Sequence, residues 1–359
     1  MHFWRERKPA GHLAGQGPRM MAIGRRRMVK HWVAAAAVLA LLAPAARAED
    51  QTVTVQLVRS IAQVPFYIAE AKGYFKDEGL KVEAGDTRSA LDTIGPIATG
   101  RLDASMGAAT AGFFNAAHQG FDLRIVAALG IQGKLMSTQP VIRKALWDNG
   151  TVRSVKDYRG RKVAINAPGD ITEYFLTLMA RKYGMTLKDM DVTVLGFAGQ
   201  LVAYKNGGID AGFLPEPLSS AAQLEGSVVL DKADAGVGEG TITTFLFYGT
   251  KFMHDKPKAA LGFLRALVRG AREAQGTEYL KDPAIAQSIA KQTGLKVEAI
   301  ERSQPYYIDP NLDISKYEKG LRDVEKVHQE HGRITYKGQL DFSKVIDASL
   351  VHKAAASLK

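Results

Sequence analysis

No cysteine occurs among the 359 residues. That absence excludes a disulfide framework, a thiolate nucleophile and the lipid-modified cysteine that tethers many exported proteins, since each needs the thiol. Beyond the amino-terminal leader, no run of lysine and arginine is interleaved with aromatic rings, so the electrostatic footprint of a nucleic-acid binder is missing. No later stretch approaches the roughly 20 apolar residues needed to cross a bilayer. Catalytic and cofactor signals are equally sparse. No Ser/His/Asp ordering stands out, and Gly130-Ile-Gln-Gly-Lys134 lacks both the length and the Ser or Thr of a phosphate-binding loop. His328 and His331 share a helical face with Glu330, but no third ligand converges on them. The expectation there is a solvated helix end, with no metal and no cofactor.

The chain opens on a basic stretch, Arg25-Arg26-Arg27 and Lys30, followed by a nearly wholly apolar run from Trp32 to Leu42. Pro44 and the small-residue pattern Ala46-Arg47-Ala48 come next. This order predicts a secretory signal peptide over residues 1–48, with Met20, Met21 or Met28 as alternative starts. Arg25 to Lys30 resembles the twin-arginine export pattern, with Gly24 where Ser or Thr is usual; an ordinary Sec leader is the other reading. The leader also corrects the formal net charge of +11. Nine of the 48 basic residues and one of the 37 acidic ones lie in it, which leaves 39 against 36, a net +3. An exported, thiol-free, nearly neutral chain fits the periplasm of a double-membraned bacterium, and 311 residues suffice for two lobes with separate cores.

The mature region carries an internal repeat. Ala98-Thr-Gly-Arg-Leu-Asp-Ala104 returns as Lys205-Asn-Gly-Gly-Ile-Asp-Ala211, so that Gly100 aligns with Gly207, Leu102 with Ile209 and Asp103 with Asp210. In both copies an apolar-periodic helix stops at a glycine and the chain turns at aspartate into a short strand. Matching helix-to-strand segments precede each copy, which predicts two βαβαβ halves. Strands are expected at Thr52–Val58, Val82–Ala84, Ala104–Met106 and Leu123–Leu129 in the first half. In the second they are expected at Lys162–Ile165, Val192–Leu195 and Ala211–Leu214. Gln139–Arg143 and Thr241–Tyr248 read as the two crossing segments, with a hinge at Trp147–Val155. Lobe one then comprises 49–148 and 244–359, lobe two 149–243, and the helical chain after the return crossing is expected to pack on lobe one. Asp234–Gly240 reads as a glycine-rich surface loop.

With these loops placed, four stretches carry a family resemblance: Pro65–Leu80, Gly100–Asp103, Val155-Lys-Asp-Tyr-Arg-Gly-Arg-Lys-Val163, and Gly208-Ile-Asp-Ala211 with Glu216-Pro217. The chain resembles the periplasmic substrate-binding proteins of ABC importers in the nitrate, sulfonate and taurine group, which also holds homologues of thiamine-pyrimidine synthase. The resemblance implies an α/β type II periplasmic-binding fold, a ligand held between the lobes, a monomer, and delivery to a membrane permease with its cytoplasmic ATPase. It implies no catalysis. The synthase branch relies on a cysteine-rich active-site segment, and this chain departs from it in having no cysteine.

In open α/β sheets ligands sit at the carboxyl ends of strands, where a two-lobed protein closes on them. Gln63, Phe66 and Tyr67 follow the first strand, Arg88 the second and Thr110 the third; Asn166, Asp170 and Thr172 follow the first strand of lobe two, Phe197 and Gln200 the second, and Glu216 the third. Arg88 is a bidentate seat for a sulfonate or carboxylate, or a solvated surface side chain. The segment Asn166–Thr172 offers an anion the start of a helix, unless Asp170 and Glu173 form a capping box that consumes the same N–H groups. Glu216, between two prolines, accepts a hydrogen bond from a ligand amine or hydroxyl, or orders its own loop. Of Phe66, Tyr67, Phe197 and Phe213, two are expected to touch ligand and two to be core. The cargo so read is a small organic anion. The acidic side chains keep open a zwitterionic, amine or pyrimidine-type ligand, and an exported enzyme on the same fold is the reading from a different class.

Overall fold

A computed structural model of the protein describes residues 50–133, 137–230 and 238–358. The predicted leader, Lys134 and most of the Asp234–Gly240 loop lie outside the described residues.

Among the described residues, ten strands form two five-stranded sheets. The first contains β1 (Gln51–Leu57), β2 (Leu80–Asp86), β3 (Ala104–Gly107), β4 (Arg124–Ala128) and β10 (Phe245–Tyr248), in the order β2-β1-β3-β10-β4. The second contains β5 (Thr138–Ile142), β6 (Lys162–Ile165), β7 (Asp191–Val194), β8 (Ala211–Pro215) and β9 (Val228–Val229), in the order β7-β6-β8-β5-β9. Each sheet has four strands running one way and one antiparallel strand inserted between the third and the last: β10 runs against β3 and β4, and β5 runs against β8 and β9. In each case the antiparallel strand is the first to be laid down after the chain changes lobe. This is the two-lobed α/β arrangement that the repeat predicts.

The repeated aspartates explain the repeat physically. Asp103 Oδ2 accepts the Thr54 N–H (2.9 Å) midway along β1, and Asp210 Oδ2 accepts the Lys162 N–H (3.2 Å) at the start of β6. Each carboxylate also meets a cation placed after the antiparallel strand of its own sheet: Lys256 Nζ lies 3.1 Å from Asp103, and Arg143 Nη2 lies 2.8 Å from Asp210. The motif is scaffold in both lobes, securing the amino-terminal edge of a sheet whose opposite edge carries the loops.

The lobe boundary lies earlier than the sequence suggests. Thr138–Ile142 is a full strand of the second sheet, so the first crossing is residues 129–137, and Trp147–Val155 is not the hinge. The two crossings pair with each other: the Gln132 N–H donates to Thr241 O (2.8 Å), and the Thr243 N–H to Gly130 O (2.8 Å). Tyr307 bridges to Ile131 from the other side. Pro140 obscured this strand in sequence, since proline in an interior position argues against one.

A second correction concerns the carboxyl-terminal chain. Helices Pro257–Glu273, Pro283–Thr293 and Ser349–Ala356 do cover lobe one, but Glu318–Glu330 and the loop after it pack against Ile171–Lys182 of lobe two as well. One apolar cluster runs from Phe113, Phe114 and Ile125 of lobe one through Leu321, Val324 and Phe342 to Ile165, Tyr174 and Met179 of lobe two. The lobes also touch through backbone. The Ala111 N–H, at the start of a lobe-one helix, donates to Gly169 O of lobe two (2.8 Å). Gly169 has φ +70°, and a Cβ there would lie 2.7 Å from Ala111 Cβ.

In the lobe-one core the long helix Pro257–Glu273 lies on Val64–Ala71, and Phe263 tilts against Phe66 with ring centroids 6.5 Å apart. Their backbones meet at Gly270, where an added Cβ would collide with the Pro65 carbonyl oxygen. Gly270→Ala is therefore expected to lower stability by about 1–3 kcal/mol through overpacking, despite the better helix propensity of alanine. Chemical denaturation measures this, and an unchanged or raised midpoint would show that the helices can part without cost.

Candidate functional site

The carboxyl ends of β1, β2 and β3 each lead into a helical turn that begins with a hydroxyl cap. Ser60 Oγ accepts the Ala62 N–H (3.1 Å), Ser89 Oγ the Leu91 N–H (3.2 Å) and Thr110 Oγ1 the Phe113 N–H (3.2 Å). A capping hydroxyl uses a lone pair and keeps its proton, so Ser89 and Thr110 each retain a donor; Ser60 is within reach of the Tyr306 hydroxyl. All three line one chamber between the lobes, with a volume of ≈ 50 Å³.

Lobe two supplies the facing wall. Asp170 caps Ile171–Lys182: its Oδ1 accepts the Thr172 N–H (2.9 Å), the Thr172 hydroxyl (2.6 Å) and the Glu173 N–H (3.3 Å), and its Oδ2 accepts Asn166 Nδ2 (3.0 Å). Burial pushes this carboxyl up, against the lowering effect of those donors. The cap thus prevails over the anion cradle at this helix. The second half of the predicted box differs, because Glu173 reaches back to the Gly169 N–H rather than to Asp170 and pairs with Arg333 (Nη2 to Oε1, 2.9 Å). Thr138, Thr243, Thr244 and Tyr306 complete the chamber.

A wider vestibule of ≈ 520 Å³ adjoins it and shares Val58, Arg88, Asn166 and Phe197 with it. Arg88 stands at this junction with 92% of its side chain exposed, 4.0 Å from Asp92. An Arg59–Asp86 pair and the start of helix Phe197–Asn206 also border the vestibule. That helix begins at Gly196 with no side-chain cap, so its first N–H groups face the opening free of the competition seen at Asp170.

Of the residues read from sequence, Gln63, Arg88, Thr110, Asn166, Asp170 and Phe197 line the chamber. The others are placed elsewhere. Phe66 and Tyr67 are buried in the lobe-one core, Phe66 against Phe75 with centroids 5.3 Å apart, because the apolar face of their helix turns towards Pro257–Glu273. Phe213 is likewise core, so one ring of the four reaches the chamber rather than two. Thr172 stands behind the cap, its hydroxyl accepting the Asn166 N–H (2.9 Å). Gln200 turns back to Leu195 O (2.8 Å). Glu216 is fully buried: its carboxylate accepts the Ser220 N–H (3.1 Å), the Ser220 hydroxyl (3.0 Å) and the Gln304 N–H (3.1 Å), and its carbonyl accepts the Ile61 N–H. It orders the junction of the lobes and has no lone pair turned to a ligand. Its carboxyl is pushed up by burial.

Ser60 and Ser89 were readable, each being a serine directly before an apolar helical turn. Thr138, Thr243, Thr244 and Tyr306 were not, since they come from the crossings and the distant carboxyl-terminal chain.

His328 corrects the expectation of a solvated helix end. It is 0% exposed, both ring nitrogens lack a hydrogen-bond partner among the described residues, and burial pushes it down to about 4. Nearby, His331 Nδ1 lies 3.4 Å from Glu173 Oε1. Burial pushes the Glu173 carboxyl up, but Arg333 and the Gly169 N–H more than offset this and hold it below the ordinary range. No group of three or more metal-binding side chains occurs among the described residues.

A family model described as "NMT1/THI5 like" matches residues 61–277. The chain is 24% identical over 294 residues to a 4-amino-5-hydroxymethyl-2-methylpyrimidine phosphate synthase of Aspergillus parasiticus, covering 77% of this chain and 78% of the relative. Among solved structures it is similar to the periplasmic aliphatic sulphonate binding protein SsuA of Escherichia coli. That match has a TM-score of 0.64 and 18% identity, covering 83% of this chain and 92% of that one. It is also similar to a zinc-bound ligand-binding component of an ABC-type import system from Staphylococcus aureus. There the TM-score is 0.69 and the identity 10%, over 85% and 99% of the two chains. These matches fix the fold as that of type II periplasmic-binding proteins.

A base whose folded pKa lies below its unfolded value binds its proton first in the unfolded chain. The His328 contribution is therefore fully present above pH 6.5 and is lost as pH falls towards 4. Wild-type stability is expected to drop by roughly 2–3 kcal/mol from this group across that window, while His328→Leu flattens the curve there. Denaturant midpoints recorded at intervals from pH 7.5 to 4 test it. Parallel curves for the two proteins would remove His328 as the cause.

Proposed function

Because the chain belongs to the NMT1/THI5-like family, we infer that it is the solute-binding component of an ABC importer, closing two lobes on a small organic anion and handing it to a membrane permease driven by a cytoplasmic ATPase. The observation that carries this reading is the chamber between the strand ends. Hydroxyl donors from Ser89 and Thr110 converge there, Arg88 stands at the mouth, and the uncapped helix at Gly196 adds further N–H donors beside it. Such a site suits an acceptor-rich group such as a carboxylate or sulfonate. The sulphonate-binding and importer-component neighbours support the same role, and the leader predicted from the sequence supports export to the periplasm. The cargo is held, not converted. Among the described residues the chamber lining contains no histidine, lysine or cysteine, and its one carboxylate, Asp170, is held as a helix cap through Oδ1, with a lone pair left only on Oδ2 beside Asn166.

One observation favours a second reading. Asp170 is an acceptor in the lobe-two wall and attracts a ligand amine, which suits a zwitterion or an aminopyrimidine; the pyrimidine phosphate synthase among the relatives supports that alternative and, with it, turnover.

A thermal-shift screen of the chain from Glu49 onward against sulfonates, carboxylates, amines and pyrimidines separates these readings. A ligand at 100 times its Kd adds about 2.7 kcal/mol. Organic anions are expected to raise the melting temperature, with no product formed on long incubation. Arg88→Ala is expected to weaken the best anion by about 1.5–3 kcal/mol, the size of a charged hydrogen bond. Stabilisation by amines or pyrimidines alone would sink the anion reading, and unchanged affinity in the variant would remove Arg88 from the site.

A further inference from the structure

Gln63 is 1% exposed, lines the chamber, and leaves its carbonyl oxygen without a hydrogen-bond partner among the described residues. It occupies the cap position of helix Val64–Ala71 yet makes no side-chain cap bond, so the helix does not explain it. Its backbone N–H is already bonded to Ser60 O. Buried amide oxygens are almost always paired, because leaving one unpaired costs free energy that folding alone gives no reason to bear. An apolar side chain of equal length would serve the lobe-one core better. Gln132, Gln139 and Gln200 also bury an amide atom without a partner among the described residues, but of the four only Gln63 lines the chamber, where a donor on the ligand can reach it.

The rest of the chamber sharpens the point. Ser89 and Thr110 have protons to give, and Arg88 adds more at the mouth; Gln63 and Asp170 have lone pairs to receive. A bare oxyanion such as nitrate, sulfate or an unsubstituted alkanesulfonate satisfies only the first set, because it carries acceptors alone.

We propose that Gln63 is the specificity-determining residue of this site, accepting a hydrogen bond from a hydroxyl or carboxamide N–H on the ligand, so that the cargo is an organic anion bearing a second, neutral donor group. This rests on the binding reading above and narrows it to a substrate class.

Two matched pairs of probes test it by isothermal titration. Ethanesulfonate against 2-hydroxyethanesulfonate differs by one hydroxyl, and 4-oxopentanoate against succinamate replaces a methyl by an amide NH2. In the wild-type chain the donor-bearing member of a pair is expected to bind about tenfold tighter or more, the scale on which sites reject analogues that leave a buried polar group unpaired. In Gln63→Met, which keeps the length and drops the acceptor, that gap closes while the weaker member is unaffected. The ligand-free variant is expected to melt at or above the wild-type temperature, because no native bond is lost. A variant that melts several degrees lower would show that Gln63 is structural and overturn the proposal. So would equal binding within both pairs by the wild type, or a gap that survives in Gln63→Met. Failure of the wild type to bind any of the four would overturn the anion reading itself, and this inference with it.

Discussion

The pair between the buried carboxylate of Glu173 and the partly exposed Arg333 is the constraint on which the two-lobed arrangement turns. Glu173 is 2% exposed and sits one turn inside the helix whose cap forms a wall of the chamber; Arg333 comes from the carboxyl-terminal chain, 160 residues away. A carboxylate so desolvated stays charged only beside a fixed cation and backbone donors, and removing one partner strands the other. The pair therefore holds the loop after helix Glu318–Glu330 against lobe two, where Asn115 of lobe one also grips it by accepting the Thr335 N–H (2.9 Å). One loop is bonded to both lobes, and the apolar cluster that crosses between them passes beneath it.

Much of the fold was legible because it depends on short-range chemistry. Val53, Val55 and Leu57 alternate inward along β1, Gly207 takes the left-handed conformation at the end of Phe197–Asn206, and Asp170 caps as its spacing suggests. The errors have a common physical origin in tertiary context. Pro140 sits in a strand that period and proline rules discourage, and it is tolerated because its backbone faces the side of β9, which pairs only with Val141 and Ile142, so no ladder hydrogen bond needs an N–H there. Phe66 and Tyr67 lie near a strand end in sequence, but the face of their helix is set by its packing on Pro257–Glu273, which no local pattern reveals. Glu216 seemed aimed at the cleft; the three donors to its carboxylate include the backbone N–H of Gln304, 88 positions distant.

The site divides along the same line. Residues just after strands within a half were found, as Arg88, Thr110 and Asn166 were. Residues delivered by the crossings or by the carboxyl-terminal chain, such as Thr243 and Tyr306, were invisible because no motif marks them. The duplicated aspartates drew notice by their repetition, yet they lie at the opposite edge of each sheet. Repetition here reports what two halves need in order to fold, and the chamber is built where the halves differ: hydroxyl caps in lobe one, a carboxylate cap in lobe two.

The contact between Ala111 and Gly169 has a mechanical meaning. Two main chains in hydrogen-bond contact, with no room even for a methyl group between them, form a hard stop. The lobes cannot be drawn closer at this point, so the least width of the chamber is set by main chain and not by side chains that could repack. The chamber is thus a gauge with a fixed lower setting.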